Sequence, residues 1–298
     1  MKKIIFSAVA VLVLGFMSAC GGDDNTIEIG TQTYTDPKLM AHIVEGLIED
    51  QTEYEVNITK DISASPQLIT SIDQEELDIA TLYSGEVYNN HFDEDEVEYS
   101  TDTEKTLTQA QQLFNEHFDF KWYDSLGFQN KYTIAIENEF AEANNIETIS
   151  DLEPYAGELR FGTDGSWLER SNDGYRAFQE AYGFEFADAR GLQIELMYEG
   201  VESDELDVIT AYSVDPQILE LDLKVLEDDK NFFPPYSASL VTRNNLLEDD
   251  PQIDEILSSL VGTIDEETMT QLIYEVDINE RDEQEVAQEY LQEQGLIE

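Results

Sequence analysis

The chain carries one nine-residue phrase twice, and that repeat restricts the folds open to it. The first copy is Glu76-Leu77-Asp78-Ile79-Ala80-Thr81-Leu82-Tyr83-Ser84. The second, about 130 residues later, is Glu205-Leu206-Asp207-Val208-Ile209-Thr210-Ala211-Tyr212-Ser213. Each reads as a helix end, an acidic turn and an apolar strand, with Tyr-Ser where the strand runs out. Each also follows a matching start, Ile27-Glu28-Ile29-Gly30-Thr31 for the first and Leu159-Arg160-Phe161-Gly162-Thr163 for the second. Two similar α/β units predict two lobes facing one another across a cleft. Ligands of open α/β sheets bind beyond the carboxyl ends of the strands, so Tyr83 and Tyr212 are predicted to border that cleft.

Between these landmarks the apolar spacing predicts strands over 27–30, 54–58, 78–82, 131–136, 159–162, 193–197 and 207–211. A further strand, 222–226, is predicted to lead back towards the first unit. Helices are predicted from Asp36-Pro37 to about residue 49, from Ser65-Pro66, over 103–117, from Ile149-Ser150-Asp151-Leu152, and over most of the chain from Leu246 onward. Phe232-Phe233-Pro234-Pro235-Tyr236 reads as a stiff crossover, because its prolines fix φ and exclude a helix. The chain is therefore expected to cross between lobes twice, near 123–130 and near 228–234, and two crossings make a hinge. The expected division is a signal over 1–19, a tether over 20–25, lobe I over 26–123 with 230–298, and lobe II over 124–229.

The first residues have a different character. Lys2 and Lys3 precede an apolar run over 4–16, and Met17-Ser18-Ala19-Cys20 resembles a bacterial lipobox, in which the signal is cut before a lipid-bearing cysteine. This predicts a protein tethered to the extracellular face of the cell membrane by lipid on Cys20, without a membrane-spanning helix. Cys20 is the one cysteine in the chain, so no intrachain disulfide forms. The 67 acidic residues outweigh 15 basic ones, for a net charge of −52. Such a field excludes nucleic acid and anionic membrane surfaces as partners. The apolar fraction of 41% is nonetheless that of a folded protein. A folded core under an acidic skin fits a salt-loving source, since concentrated salt screens self-repulsion.

No catalytic, cofactor or metal motif stands out. His42, His91 and His117 are scattered and read as surface residues, and no Walker loop, G-x-S-x-G or G-x-G-x-x-G is present. Gly162-Thr163-Asp164-Gly165 resembles a phosphate loop but lacks the Lys-Ser/Thr that would follow. The tyrosines are more informative. Tyr83 and Tyr212 end equivalent strands, Tyr132 begins the second unit just after the first crossing, and Tyr236 lies in the second crossing. Four rings bordering one cleft would form an aromatic box for a quaternary ammonium cation, each face contributing roughly 0.5 to 2 kcal/mol when desolvated.

The chain resembles the substrate-binding lipoproteins of osmoprotectant ABC transporters, the OpuC-type group that captures glycine betaine, carnitine and choline. The resemblance is carried by Ile29-Gly30-Thr31-Gln32, Tyr83-Ser84-Gly85, Lys121-Trp122-Tyr123-Asp124-Ser125-Leu126-Gly127-Phe128 and Asn130-Lys131-Tyr132. It continues through Tyr182-Gly183-Phe184-Glu185-Phe186, Ala211-Tyr212-Ser213-Val214-Asp215 and residues 228–236. It implies a type II periplasmic-binding-protein fold, a four-tyrosine cage at Tyr83, Tyr132, Tyr212 and Tyr236, and a contact from Gln32 to the ligand's polar end. It also implies a monomeric receptor, not an enzyme, that hands its ligand to a membrane permease; the alternatives are a receptor for another small solute, with the tyrosines as packing, and a sensing module without transport. One position departs from the betaine-binding pattern. Glu86 follows Tyr83-Ser84-Gly85 where those relatives carry threonine, and a glutamate there repels a carboxylate while accepting a hydroxyl's hydrogen bond. Glu86 therefore leans towards choline. The alternative is that Glu86 only favours the N-terminus of the helical segment it begins.

Overall fold

The computed structural model describes residues 25–89, 91–93, 95–170 and 174–297. Cys20, the signal and most of the tether lie outside the described residues. The first unit runs β1 (Thr26–Gly30), α1 (Thr35–Gln51), β2 (Glu55–Thr59), α2 (Ser65–Asp73), β3 (Ile79–Tyr83), α3 (Thr103–Phe118) and β4 (Phe120–Trp122). The second runs β5 (Tyr132–Glu137), α4 (Asn138–Asn144), β6 (Arg160–Asp164), α5 (Gly165–Glu169), α6 (Tyr175–Tyr182), β7 (Asp188–Leu192), α7 (Ile194–Glu202), β8 (Val208–Tyr212), α8 (Gln217–Glu220) and β9 (Leu223–Val225). The chain then returns with β10 (Ala238–Arg243), α9 (Asn244–Asp249), α10 (Pro251–Ser259), α11 (Glu266–Asp277) and α12 (Glu283–Glu293).

Two five-stranded sheets result, ordered β2-β1-β3-β10-β4 and β7-β6-β8-β5-β9. In each, three parallel strands are followed by an antiparallel strand entering from the other crossing. The expected two-lobed α/β fold is present, with β3 and β8, the strands of the repeated phrase, at the centre of each sheet. Helices cover both faces: α1, α10, α11 and α12 pack on one side of the first sheet, and α2 and α3 on the other.

The repeat has a physical basis. Asp78 accepts the backbone N–H of Glu28 at 2.8 Å, and Asp207 accepts that of Arg160 at 2.7 Å, so each acid locks the central strand to its parallel neighbour. The leucine before each acid packs onto the glycine of the matching start. A β-carbon on Gly30 would lie 2.4 Å from Leu77 Cδ1, and one on Gly162 would lie 2.5 Å from Leu206 Cδ1. The turn leading into each central strand sits this close to its neighbour because glycine has no side chain there.

Several sequence expectations are corrected. Residues 193–197 form the start of helix α7, not a strand: Met197 and Val201, four apart, face the core while Leu196 is exposed. The strand is β7 just before it, an edge strand whose Asp-Ala-Arg-Gly-Leu sequence has no alternating apolar face. The strand at 222–226 pairs with β5 at the edge of the second sheet, and β10 is the strand that returns to the first. The helix signal at Ile149 gives one 3-10 turn, Ile149–Leu152, with a capping box between Thr148 and Asp151. His42 is buried beside Glu45, and the His91 side chain is largely covered, so only His117 among the three is well exposed.

Candidate functional site

Six residues singled out from sequence, Gln32, Tyr83, Glu86, Tyr132, Tyr212 and Tyr236, line one cavity of about 250 Å³ between the sheets. Tyr83 and Tyr212 end β3 and β8. Tyr132 opens β5 directly opposite Tyr212 in the antiparallel register, with ring centroids 4.9 Å apart and the Tyr212 hydroxyl donating to that of Tyr132 at 3.1 Å. Tyr236 stands in the second crossing, just before β10.

Ser84 holds that crossing. Its Oγ accepts from the Ser237 N–H at 3.0 Å and donates to the Pro235 carbonyl at 3.2 Å, while its own N–H donates to the Ser237 carbonyl at 2.9 Å. Gly85 then leaves room for the ring of Tyr236, since a β-carbon there would lie 2.6 Å from Tyr236 Cζ. From the other side, Phe232 and Phe233 anchor the crossing in the aromatic core of the second lobe, their N–H groups both donating to Asp228 at 2.9 Å.

Tyr83 donates its hydroxyl hydrogen to Asp36, the second residue of α1, which also accepts from Asn130 Nδ2 at 3.0 Å. Burial raises the Asp36 carboxyl to about 6, against the opposing pull of those two donors. Burial likewise pushes the phenols of Tyr83, Tyr132 and Tyr212 above their ordinary range, so all three stay neutral at physiological pH. Glu86 is 5% exposed; its Oε2 accepts from Ser65 Oγ at 2.7 Å and Asn89 Nδ2 at 2.9 Å, with His91 Nε2 at 3.5 Å. Ser65 and Asn89 thus donate to the Glu86 side chain where it lines the cavity.

Nine further lining residues were not found from sequence, among them Tyr34, Asn130, Asp164 and Arg170. Arg170 lies with its guanidinium carbon 5.5 Å from the centroid of Tyr132 and reaches the Tyr236 hydroxyl at 3.5 Å. The signal for Asp164 was available. Gly162-Thr163-Asp164-Gly165, set aside because it is no phosphate loop, marks the carboxyl end of β6, where ligands of such sheets bind. Among the described residues, no group of side chains is arranged to hold a metal ion, and no helix is long and apolar enough to cross a membrane.

Comparison with known proteins agrees over the whole described chain. The chain is 34% identical over 308 residues to the carnitine transport binding protein OpuCC of Listeria monocytogenes, covering 100% of this chain and 99% of that one. It is 28% identical over 313 residues to a glycine-betaine-binding protein of Pseudomonas aeruginosa, covering 100% and 96%. A solved glycine betaine/carnitine/choline ABC transporter structure superposes with a TM-score of 0.83 at 32% identity, covering 91% of this chain and 100% of that one. The family model for the substrate binding domain of ABC-type glycine betaine transport systems matches residues 25–293. The chain belongs to this family of substrate-binding transport proteins.

Proposed function

We propose that the protein captures a quaternary ammonium osmoprotectant in a cage formed by Tyr83, Tyr132, Tyr212 and Tyr236, and delivers it to an ABC importer. The observation that carries this reading is the convergence of four tyrosines, three from strands of the two sheets and one from the second crossing, on one cavity. A trimethylammonium group is too diffuse for strong hydrogen bonds but is attracted to the negative faces of rings. Several such faces supply a large part of the roughly 8 kcal/mol that micromolar affinity requires. The lobes, 26–123 with 230–298 and 124–229, would close by hinging at the two crossings, with the receptor held at the membrane by lipid on Cys20.

Two observations bear on which ligand is held. Glu86, a buried hydrogen-bond acceptor that lines the cavity, favours a hydroxyl over a carboxylate and so choline over glycine betaine. Arg170 favours the opposite: a ligand carboxylate would draw the guanidinium off Tyr132 and free that face for the ammonium. Carnitine, with a hydroxyl and a carboxylate, satisfies both. Calorimetric titration with choline, glycine betaine and carnitine tests the reading. Glu86→Thr is expected to gain glycine betaine affinity, and Arg170→Ala to lose the carboxylate ligands while keeping choline. Failure of the wild-type protein to bind any of the three would sink the proposal.

A further inference from the structure

A second cavity, of about 470 Å³, lies behind the first. Tyr34, Asn130, Ile194 and Tyr212 line both, so these side chains form the partition between them. The far chamber is acidic: Asp36 comes from α1, Asp215 from the turn after β8, and Asp277 from the end of α11. The central contact of the partition is between rings. Tyr34 meets Tyr212 edge-on, with centroids 5.8 Å apart and planes at 63°. Tyr34 immediately precedes α1, which packs on the first sheet, whereas Tyr212 ends β8 of the second, so this contact spans the cleft. Tyr34 is also 38% exposed, unlike Tyr83, Tyr132 and Tyr236.

We propose that Tyr34 is a specificity-determining residue that ends the ligand cavity at its far side, closing against Tyr212 and limiting the length of ligand the cage admits. This rests on the quaternary ammonium reading above. Tyr34 offers the cage a fifth aromatic wall, and removing its ring would join the cage to the acidic chamber. A ligand with a trimethylammonium head and a second cation on a tether would then place its head among the tyrosines and its tail among the carboxylates. The intact partition denies it that path.

The test compares choline with (5-aminopentyl)trimethylammonium by calorimetry at pH 8, on the wild-type protein, Tyr34→Phe and Tyr34→Ala. Thermal melts verify that each variant is folded. Wild type and Tyr34→Phe, which keep the ring, are expected to bind choline and discriminate against the long dication. Tyr34→Ala is expected to lose about fivefold in choline affinity, as fits one ring face, and to gain at least that factor for the dication. Unchanged affinities in Tyr34→Ala would overturn the inference. A loss of choline without any gain for the dication would overturn it too, leaving Tyr34 as a wall and not a partition. A wild-type protein that binds neither compound nor any other quaternary ammonium would instead bring down the underlying reading.

Discussion

Ser84 and Ser213 form the same hydrogen-bonded frame around opposite crossings of the chain. Ser84 exchanges three hydrogen bonds with Pro235 and Ser237, and Tyr236 lies between them. Ser213 makes the matching set: its Oγ donates to the Gln129 carbonyl at 3.0 Å and accepts from the Lys131 N–H at 3.2 Å, and its N–H donates to the Lys131 carbonyl at 3.0 Å. The residue framed there is Asn130, and Tyr132 follows one position later. Each copy of Tyr-Ser thus contributes a ring to the cavity and a clamp for a segment that supplies further lining.

Removing either clamp should loosen the site. In Ser84→Ala the buried Ser237 N–H loses its acceptor, which costs about 1–3 kcal/mol. Ser84 is wholly buried and Ser213 is not, so Ser84→Ala is expected to be the more destabilising of the two. Both variants should also bind ligand several-fold more weakly, because Tyr236 or Asn130 is no longer framed. Urea midpoints and ligand titration check this; two variants as stable as the parent would refute the clamp.

The leucine–glycine contacts give a prediction about packing. Gly30→Ala would drive a β-carbon against both Leu77 and Leu68, which are buried and have little room to move. The expected loss is about 1–3 kcal/mol. Adding Leu77→Ala should relieve part of it, so that the double variant is less destabilised than the sum of the single ones. Strict additivity would mean that the two residues do not share the space.

Why the four tyrosines of the candidate site were legible follows from the repeat itself. Strand ends of α/β units border the ligand cleft, and a tyrosine at two equivalent strand ends can be read without coordinates. Tyr132 and Tyr236 were legible because the crossings could be placed from the Pro-Pro segment and from where the second unit begins. Residues that reach the cavity from an adjoining loop were not legible. Arg170 follows a helix of one turn after β6, and Tyr34 precedes α1 without any periodic pattern of its own. The misread strand at 193–197 has the same origin: Ile194, Met197 and Val201 form a helical face, but the first few residues also alternate. Edge strand β7, which pairs on one side and is half-exposed, had no hydrophobic signal to give.

Salt should stabilise the folded protein. With a net charge of −52 the compact state is self-repelling, and raising ionic strength from 0.1 to 1 M shortens the Debye length from about 10 to about 3 Å. Ion pairs such as Arg281 with Glu275, Glu285 and Glu289 weaken under the same conditions, but these exposed contacts are worth little each. The melting temperature is therefore expected to rise between 0.1 and 2 M NaCl. Equal melting temperatures would contradict a fold adapted to high salt.

Asp36 should make stability fall as pH rises. Its carboxyl stands at about 6 in the folded protein, against an ordinary 3.8, because burial disfavours the charged form more than Tyr83 and Asn130 favour it. Below about pH 4 the group is protonated whether the chain is folded or not, and its contribution to stability is complete. As pH rises through 6 the unfolded chain has already released the proton and the folded one is forced to, which by neutral pH costs about 3 kcal/mol. Asp36→Asn keeps an oxygen for the Tyr83 hydroxyl but has no proton to release. Relative to the parent, it is expected to gain stability steadily between pH 4 and 7 and to stay level above that. The general self-repulsion of the acidic surface is nearly the same in both proteins and drops out of the difference. Denaturant midpoints of the pair across this range provide the measurement, and a difference independent of pH would show that the Asp36 carboxyl is not held protonated by its burial.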